Sequence, residues 1–273
     1  MTNLAIRLVL SAAAGLAGLG VLVSAEGPVR PAAATLPILV YHQVMPSSTL
    51  PENPYDGIPR GRFEDHLRYL RDEGYTALSM DDVLAFLDGA PMPEKSVAIH
   101  MDDGWRSHVE AADLLDRYGF KASFWVIPGT GIGEPHLDWD QIEAIATRPR
   151  LEVLSHTMTH PWKPNETLID WLAGRTPGRG IERAGWEIGE SKRLLEARLH
   201  RPVPYLAWPS GHYNDTLVDL AVAAGYRGLV TIDEGLNAPG GDRFRIRRTL
   251  VHGACDVDDL KALLRDGKAR DCV

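Results

Sequence analysis

The chain has 273 residues, of which 44% are hydrophobic, 24% charged and 7% aromatic, and its formal charge is −8. That composition suits a globular domain large enough to bury a core without disulfide or metal staples, and it excludes fibrous, collagen-like and disordered chains. The acidic balance leaves no basic surface to neutralise phosphates, so nucleic acid and anionic membrane are poor partners, and no feature asks for a stable protein partner.

In chain order, Arg7 precedes an apolar run at 8–23 rich in Ala and Gly, the pattern of a secretory signal peptide over 1–25. Small residues at Val23-Ser24-Ala25 and again at Ala32-Ala33-Ala34 allow cleavage after 25 or as late as 34. The run is short for a membrane span, and retention as an anchor is the competing reading. Export to a periplasm, a cell envelope or the medium follows, and 26–35 reads as a flexible lead.

From there short β-type runs alternate with helix patterns. Strands are predicted at 38–41, 76–78, 97–101, 122–127, 151–154, 205–207, 228–231 and 244–246. Phe63, Leu67 and Leu70 mark the first helix face. Val83, Leu84 and Leu87 mark a second behind Ser79 as N-cap, and Ala111, Leu114 and Leu115 a third that ends at Tyr118-Gly119. Later helices are predicted at 139–146, 181–199, 215–224 and 257–264. The Pro- and Gly-rich stretch 161–180 breaks the alternation and reads as a loop over the mouth of the fold. Repeated βα units give an α/β class, a distorted (β/α) barrel with about seven parallel strands, in one domain over 36–266 followed by a tail at 267–273. Cys255 and Cys272 are close enough in sequence to staple that tail in an oxidising compartment, or are two separate thiols.

The chemistry-bearing residues follow strands. His42 comes after the first, Asp102 and Asp103 after the third, His156 and His160 after the fifth, and Trp208-Pro209-Ser210-Gly211 after the sixth. In a parallel barrel all strand C-termini open on one face, so these residues converge. His156 and His160, four apart, can grip one cation, and an Asp with two His leaves coordination positions open for water and substrate, as a hydrolytic metal centre needs. Successive side chains leave an extended backbone on opposite sides, so one of the two carboxylates can bind the ion while the other stays free as a base. Spacing alone does not say which.

These residues resemble the polysaccharide deacetylases of the NodB-homology type, carbohydrate esterase family four. His100-Met101-Asp102-Asp103-Gly104 is similar to that family's T/S-F-D-D-G motif, and Ser155-His156-Thr157-Met158-Thr159-His160-Pro161 to its S-H-[ST]-x-x-H motif. Tyr118 to Val126 and Leu137 to Ile142 resemble its supporting segments. The resemblance implies a deacetylase-type barrel, Asp102 as base, and Asp103, His156 and His160 as ligands of a divalent metal, zinc by default. It implies hydrolytic removal of acetyl groups from N-acetylated amino sugars of an N-acetylglucosamine-containing polysaccharide.

The family's R-x-P-Y-G segment is Ala207-Trp208-Pro209-Ser210-Gly211 here, without the arginine that would orient the base. That departure and Val40-Tyr41-His42-Gln43-Val44 resemble the branch of poly-β-1,6-N-acetylglucosamine deacetylases, in which an N-terminal histidine stands in as catalytic acid. His42 is then the favoured general acid, and His252, which fits the wider family's L-x-H motif, its competitor. Trp208, Pro209, Ser210 and Gly211 are the expected substrate contacts, and Trp105 and Trp162 also lie beside the catalytic segments. His66, His108, His136 and His200 read as structural, with His212 nearer the substrate because it follows Gly211. Competing functions are an O-acetyl esterase on a polysaccharide, a metal amidase on another amide, and a sugar-binding homologue without turnover. Ser210 lacks the G-x-S-x-G setting of a serine esterase.

Overall fold

The computed structural model describes residues 34–46 and 57–268. The expected signal peptide at 1–25, the lead as far as 33, and Cys272 in the tail lie outside the described residues. Cys255 is fully buried. Among the described residues, no helix is long and apolar enough to cross a membrane.

The elements run β1 (Ile38–Tyr41), β2 (Gln43–Met45), β3 (Gly57–Pro59), α1 (Arg60–Asp72), β4 (Thr76–Leu78), α2 (Met80–Leu87), β5 (Ser96–Met101), α3 (His108–Tyr118), β6 (Ala122–Val126), α4 (Trp139–Ala146) and β7 (Leu151–Ser155). They continue with α5 (Leu168–Leu172), α6 (Ile181–Leu199), β8 (Tyr205–Ala207), a 3₁₀ turn at Pro209–Gly211, α7 (Asp215–Ala223), β9 (Gly228–Val230), β10 (Thr249–Leu250) and α8 (Val257–Asp266). The main sheet follows the path β10-β1-β5-β6-β7-β8-β9, with β4 paired separately to β5, and every pairing is parallel. Seven parallel strands thus form a curled half-barrel, as expected for a deacetylase-type barrel.

Local chemistry explains most boundaries. The Ser79 hydroxyl accepts from the Asp82 N–H while the Asp82 carboxylate accepts from the Ser79 N–H, a reciprocal cap that starts α2; Asp138 and Gln141 do the same for α4. Gly119, at φ 76°, ends α3 in the left-handed conformation that costs glycine nothing. All six residues of β5, Ser96 and His100 included, are buried, so this central strand shows no alternation of buried and exposed positions.

Two expectations change. The 161–180 segment is not loop throughout: it contains α5, started by a reciprocal Thr167–Asp170 cap and held by Leu168 and Trp171, which bury into a cluster with Ile188, Leu206 and Leu217. The strand expected at 244–246 is reduced to one bridge between Ile246 and Val230, and the pairing partner of β1 is instead β10. A two-residue strand carries too little pattern to be read from sequence.

Register brings the functional segments together. Tyr41 pairs with Met101 and Val126 with Ser155, so the residues leaving β1, β5 and β7 emerge at the same edge. The ladder continues one step past the strands: the Asp102 N–H donates to Tyr41 O and the His156 N–H to Val126 O, both at 2.9 Å.

Candidate active site

At that edge lies a cavity of about 530 Å³ whose lining includes His42, Asp102, Asp103, His156 and His160. The backbone is forced around it. Six non-glycine residues take positive φ among the described residues, and Asp103 (74°), Thr157 (64°), His160 (51°) and Ser210 (49°) are four of them. Such conformations persist only where the surroundings over-determine them. The left-handed turn at Asp103 also departs from the extended backbone assumed above. Asp102 and Asp103 do not diverge to opposite sides: Asp102 Oδ2 is 3.8 Å and Asp103 Oδ1 3.4 Å from the same atom, His156 Nε2.

Asp103, His156 and His160 form a candidate metal centre, with one donor atom from each all within 4.8 Å of one another. The Oδ1 of Asp103 lies 3.4 Å from His156 Nε2 and 3.5 Å from His160 Nε2. Bonds of about 2.1 Å to a tetrahedral ion would separate two ligand atoms by about 3.4 Å. Asp103 Oδ1 is buried without a hydrogen-bond partner, whereas Oδ2 accepts from the Trp105 indole N–H at 3.1 Å. His156 Nδ1–H donates to the Ala207 carbonyl at 2.9 Å, which leaves its Nε2 lone pair facing the cavity. The residues present fit a divalent cation.

Charge within this cluster is balanced tightly. Burial would raise the Asp103 carboxyl, but the surrounding imidazoles hold it far below the usual carboxylate range. Burial would lower His156, yet Asp103 and Asp102 push it up; burial pushes His160 down, to about 3. A cation entering the site finds the His160 imidazole neutral.

The arginine missing after β8 is supplied from elsewhere. Arg248, fully buried just before β10, donates from Nη1 to Asp102 Oδ1 and from Nη2 to Asp102 Oδ2, both at 2.8 Å, and from Nε to Thr231 O at 2.8 Å. Burial alone would raise Asp102, but the guanidinium, with His156 adding to it, brings its carboxyl down to about 2. Sequence reasoning missed Arg248 because its only signal was a lone arginine at the end of an Arg-Ile-Arg-Arg run.

With this geometry in place, the comparisons with known proteins are informative. The family model described as polysaccharide deacetylase matches residues 89–229, more than half of the chain. The chain belongs to the polysaccharide deacetylase family. It is 29% identical over 221 residues to YxkH of Bacillus subtilis (strain 168), whose name assigns it provisionally to polysaccharide deacetylases; the match covers 80% of this chain and 72% of that protein. It is 22% identical to the poly-beta-1,6-N-acetyl-D-glucosamine N-deacetylase of Escherichia coli (strain K12), over 63% of this chain and 30% of that longer protein. Among solved structures, the Streptococcus pyogenes deacetylase PplD in complex with acetate is similar at a TM-score of 0.70 and 25% identity, covering 85% of this chain and 99% of that one.

Other residues of this deacetylase domain take their places around the cluster. His42 lines the cavity with Nε2 3.9 Å from Asp103 Oδ2, whereas His252 is not among the lining residues. His108 is buried with Nε2 2.9 Å from the His42 carbonyl, supporting the segment that carries His42. Trp208 and Ser210 line the cavity; Pro209 and Gly211 do not, and instead shape the turn between them. A Cβ at Gly211, whose φ is 68°, would fall 2.3 Å from Ile232 Cγ1. The additional histidine at the cavity is His136 rather than His212: its ring stacks on Trp105 at 4.6 Å between centroids, and both residues line the wall. Trp162 also lines it and is 53% exposed.

One further support was invisible in sequence. Glu187 on α6 is fully buried, and its carboxylate accepts from the Thr159 N–H and, at 3.0 Å, from the Thr159 hydroxyl. Its own carbonyl accepts from the Met158 N–H at 3.1 Å. The loop between His156 and His160 is thereby tied to α6.

Proposed function

We propose that the chain is an exported, metal-dependent N-deacetylase that hydrolyses the acetamido groups of N-acetylated amino sugars in an extracellular or envelope polysaccharide. The observation that carries this reading is the meeting, in one cavity, of a fitting Asp103–His156–His160 ligand set with a separate carboxylate, Asp102, held ionised by Arg248. A divalent cation, zinc by default for two imidazoles and a carboxylate, would polarise the acetyl carbonyl and activate water. Asp102, gripped by Arg248 and with Oδ2 3.8 Å from His156 Nε2, takes the proton of the attacking water. His42, whose Nε2 is 3.9 Å from Asp103 Oδ2, gives a proton to the leaving amine, and acetate and a free amino sugar result. The Gly211 and His212 N–H groups are tied to Trp208 O and Pro209 O, which leaves the Ser210 N–H as the donor candidate for the acyl oxygen as it gains charge. The relative named as a poly-beta-1,6-N-acetyl-D-glucosamine N-deacetylase supports the same substrate class. The apolar run at 8–23 supports export.

The test is acetate release from N-acetylglucosamine oligomers by the full chain, with and without chelator, beside Asp102→Asn and beside an acetyl-ester substrate. Chelator-sensitive release from the amide, lost in the variant, supports the reading. Release from esters alone turns it into an O-acetyl esterase, and no release from either substrate overturns it.

A further inference from the structure

His100 lies on β5 two residues before Asp102, and the sheet ladder still holds at Asp102, so alternation along the strand puts both side chains on one face. Its ring is wholly buried, and the deacetylation steps above give it no part. The family's motif has threonine or serine at this position, so the imidazole is this chain's own.

The hydrogens of Arg248 show what the imidazole does. A guanidinium carries five N–H groups and accepts nothing. The bonds to Thr231 O and to the two Asp102 oxygens use one hydrogen each from Nε, Nη1 and Nη2. Nη1 has a second hydrogen, and His100 Nδ1 lies 3.4 Å from that nitrogen. Because arginine only donates, Nδ1 offers its lone pair and the ring's own hydrogen sits on Nε2. An imidazolium, with a hydrogen on both nitrogens, would set N–H against N–H. Burial, with the Arg248 charge adding to it, pushes the imidazole well below its usual 6.5 against the pull of Asp102, in agreement with a neutral ring.

Trp125 packs against both His100 and Arg248. Its ring centroid is 5.2 Å from that of His100, and the guanidinium carbon of Arg248 is 5.6 Å from the same indole. Two buried nitrogens, His100 Nε2 and Trp125 Nε1, have no hydrogen-bond partner among the described residues. An apolar side chain at position 100 would fill the core without leaving an N–H unmet. What it would lose is the acceptor at Nδ1.

We propose that His100 is a positioning residue for the catalytic base: its Nδ1 lone pair holds the Arg248 guanidinium in the orientation in which it grips both oxygens of Asp102. The inference rests on the deacetylase reading for what Asp102 does, and adds to it a requirement for a neutral, Nε2-protonated ring at position 100.

Two measurements test it. The first needs no turnover: long-range proton–nitrogen correlation spectra of the zinc-loaded full chain, labelled with nitrogen-15 in its histidines, with His100→Leu identifying the His100 signals by their loss. From about pH 6 to about pH 8 the ring is expected to be neutral, protonated on Nε2, with Nδ1 shifted as a hydrogen-bond acceptor. A ring protonated on Nδ1, or on both nitrogens, overturns the proposal. The second measures kcat and KM for acetate release from N-acetylglucosamine oligomers. His100→Leu should lower kcat by about 10- to 100-fold with KM unchanged, since the base is misaligned and sugar binding is not. His100→Asn, whose side-chain oxygen can accept where Nδ1 did, should recover most of kcat although it places an amide in an apolar core and is the less stable variant by urea unfolding. A side chain that only filled space would give the reverse order of activity. That order, equal losses in the two variants, or an unchanged kcat in His100→Leu overturns the proposal. If the unaltered chain releases no acetate while the spectra show the Nε2-protonated ring, the deacetylase reading falls and the hold of His100 on Arg248 stands. Turnover beside a ring protonated on Nδ1 keeps the deacetylase reading and removes His100 from it.

Discussion

Arg248 and Asp102, 146 residues apart in the chain, form a two-pronged ion pair with both bonds at 2.8 Å and Arg248 wholly removed from solvent. A planar guanidinium matches a carboxylate in this way and an ammonium does not. Arg248→Lys should therefore keep the charge but lose the orientation, lowering kcat/KM for acetate release by roughly 10- to 100-fold while the chain stays folded. Arg248→Gln leaves a buried carboxylate unpaired and should cost about 3–5 kcal/mol in stability as well. Steady-state kinetics beside urea unfolding separates the two effects. A lysine variant with unaltered kcat/KM would show that the fork does not matter.

Trp105 offers a narrower test of how Asp103 is aimed. The indole N–H engages Oδ2, which turns Oδ1 toward His156 and His160, and the ring stacks on His136. Trp105→Phe keeps a ring against His136 and removes the donor. Partners of this kind to metal ligands are typically worth about 10–100-fold in metal affinity. A loss of about tenfold in zinc affinity is expected, with stability changed by less than about 1 kcal/mol. Competition with a chromophoric chelator measures the first and thermal unfolding the second; unchanged affinity would assign the indole to packing alone.

The contrast between Asp103 and Arg248 shows what the sequence could and could not convey. Asp103, His156 and His160 lie within six residues after the end of a predicted strand, so the rule that parallel strand ends share one face is enough to gather them. Arg248 precedes a two-residue strand, β10, whose pairing to β1 leaves no periodicity to detect. Glu187 is harder still, since a glutamate in a 19-residue helix is ordinarily a solvated one, and its burial follows from how α6 packs. Only α5 contradicted a composition rule: Pro and Gly flanked it, and the capping pair Thr167 and Asp170 inside the same stretch was the stronger signal. His136 reached the cavity through the bridge between it and Trp105, a contact no local pattern encodes.

Glu187 should govern the loop that presents His160. Burial raises its carboxyl, while hydrogen bonds from Thr159 and Thr157 pull in the other direction. Glu187→Gln replaces one acceptor oxygen by a donor facing groups that themselves donate. A loss of about 1–3 kcal/mol in stability is expected, the cost of leaving buried donors unmet, together with weaker metal binding. Glu187→Asp shortens the reach but keeps both acceptors, and should recover part of the metal affinity. If both variants bind zinc as the unaltered chain does, Glu187 serves the fold and not the loop.

His66 gives the molecule a predictable response to acid. Its Nδ1 lies 3.2 Å from the Tyr41 hydroxyl, and its Nε2 lies 3.1 Å from Cys255 O, so the neutral ring ties α1 and β1 to the segment before α8. Burial pushes the group down from 6.5 to about 4, with the Cys255 and Asp256 carbonyls opposing this in part. The folded value is the lower one, so the stabilisation is complete above 6.5, where the imidazole is neutral in both states. As the pH falls from 6.5 toward 4 the unfolded chain takes up a proton that the folded chain refuses, and stability drops; below about 4 both states are protonated and the loss stops growing. His108, buried and also brought down to about 4, adds a second contribution of the same sign. Each should remove about 2 kcal/mol between about pH 7 and pH 5, a range chosen because most carboxylates have not yet begun to titrate. Urea unfolding of the unaltered chain and of His66→Gln across that range reads the effect directly. The variant starts less stable at neutral pH and should lose about 2 kcal/mol less on acidification; an identical pH slope in the two proteins would mean that His66 is not the buried neutral group the geometry describes.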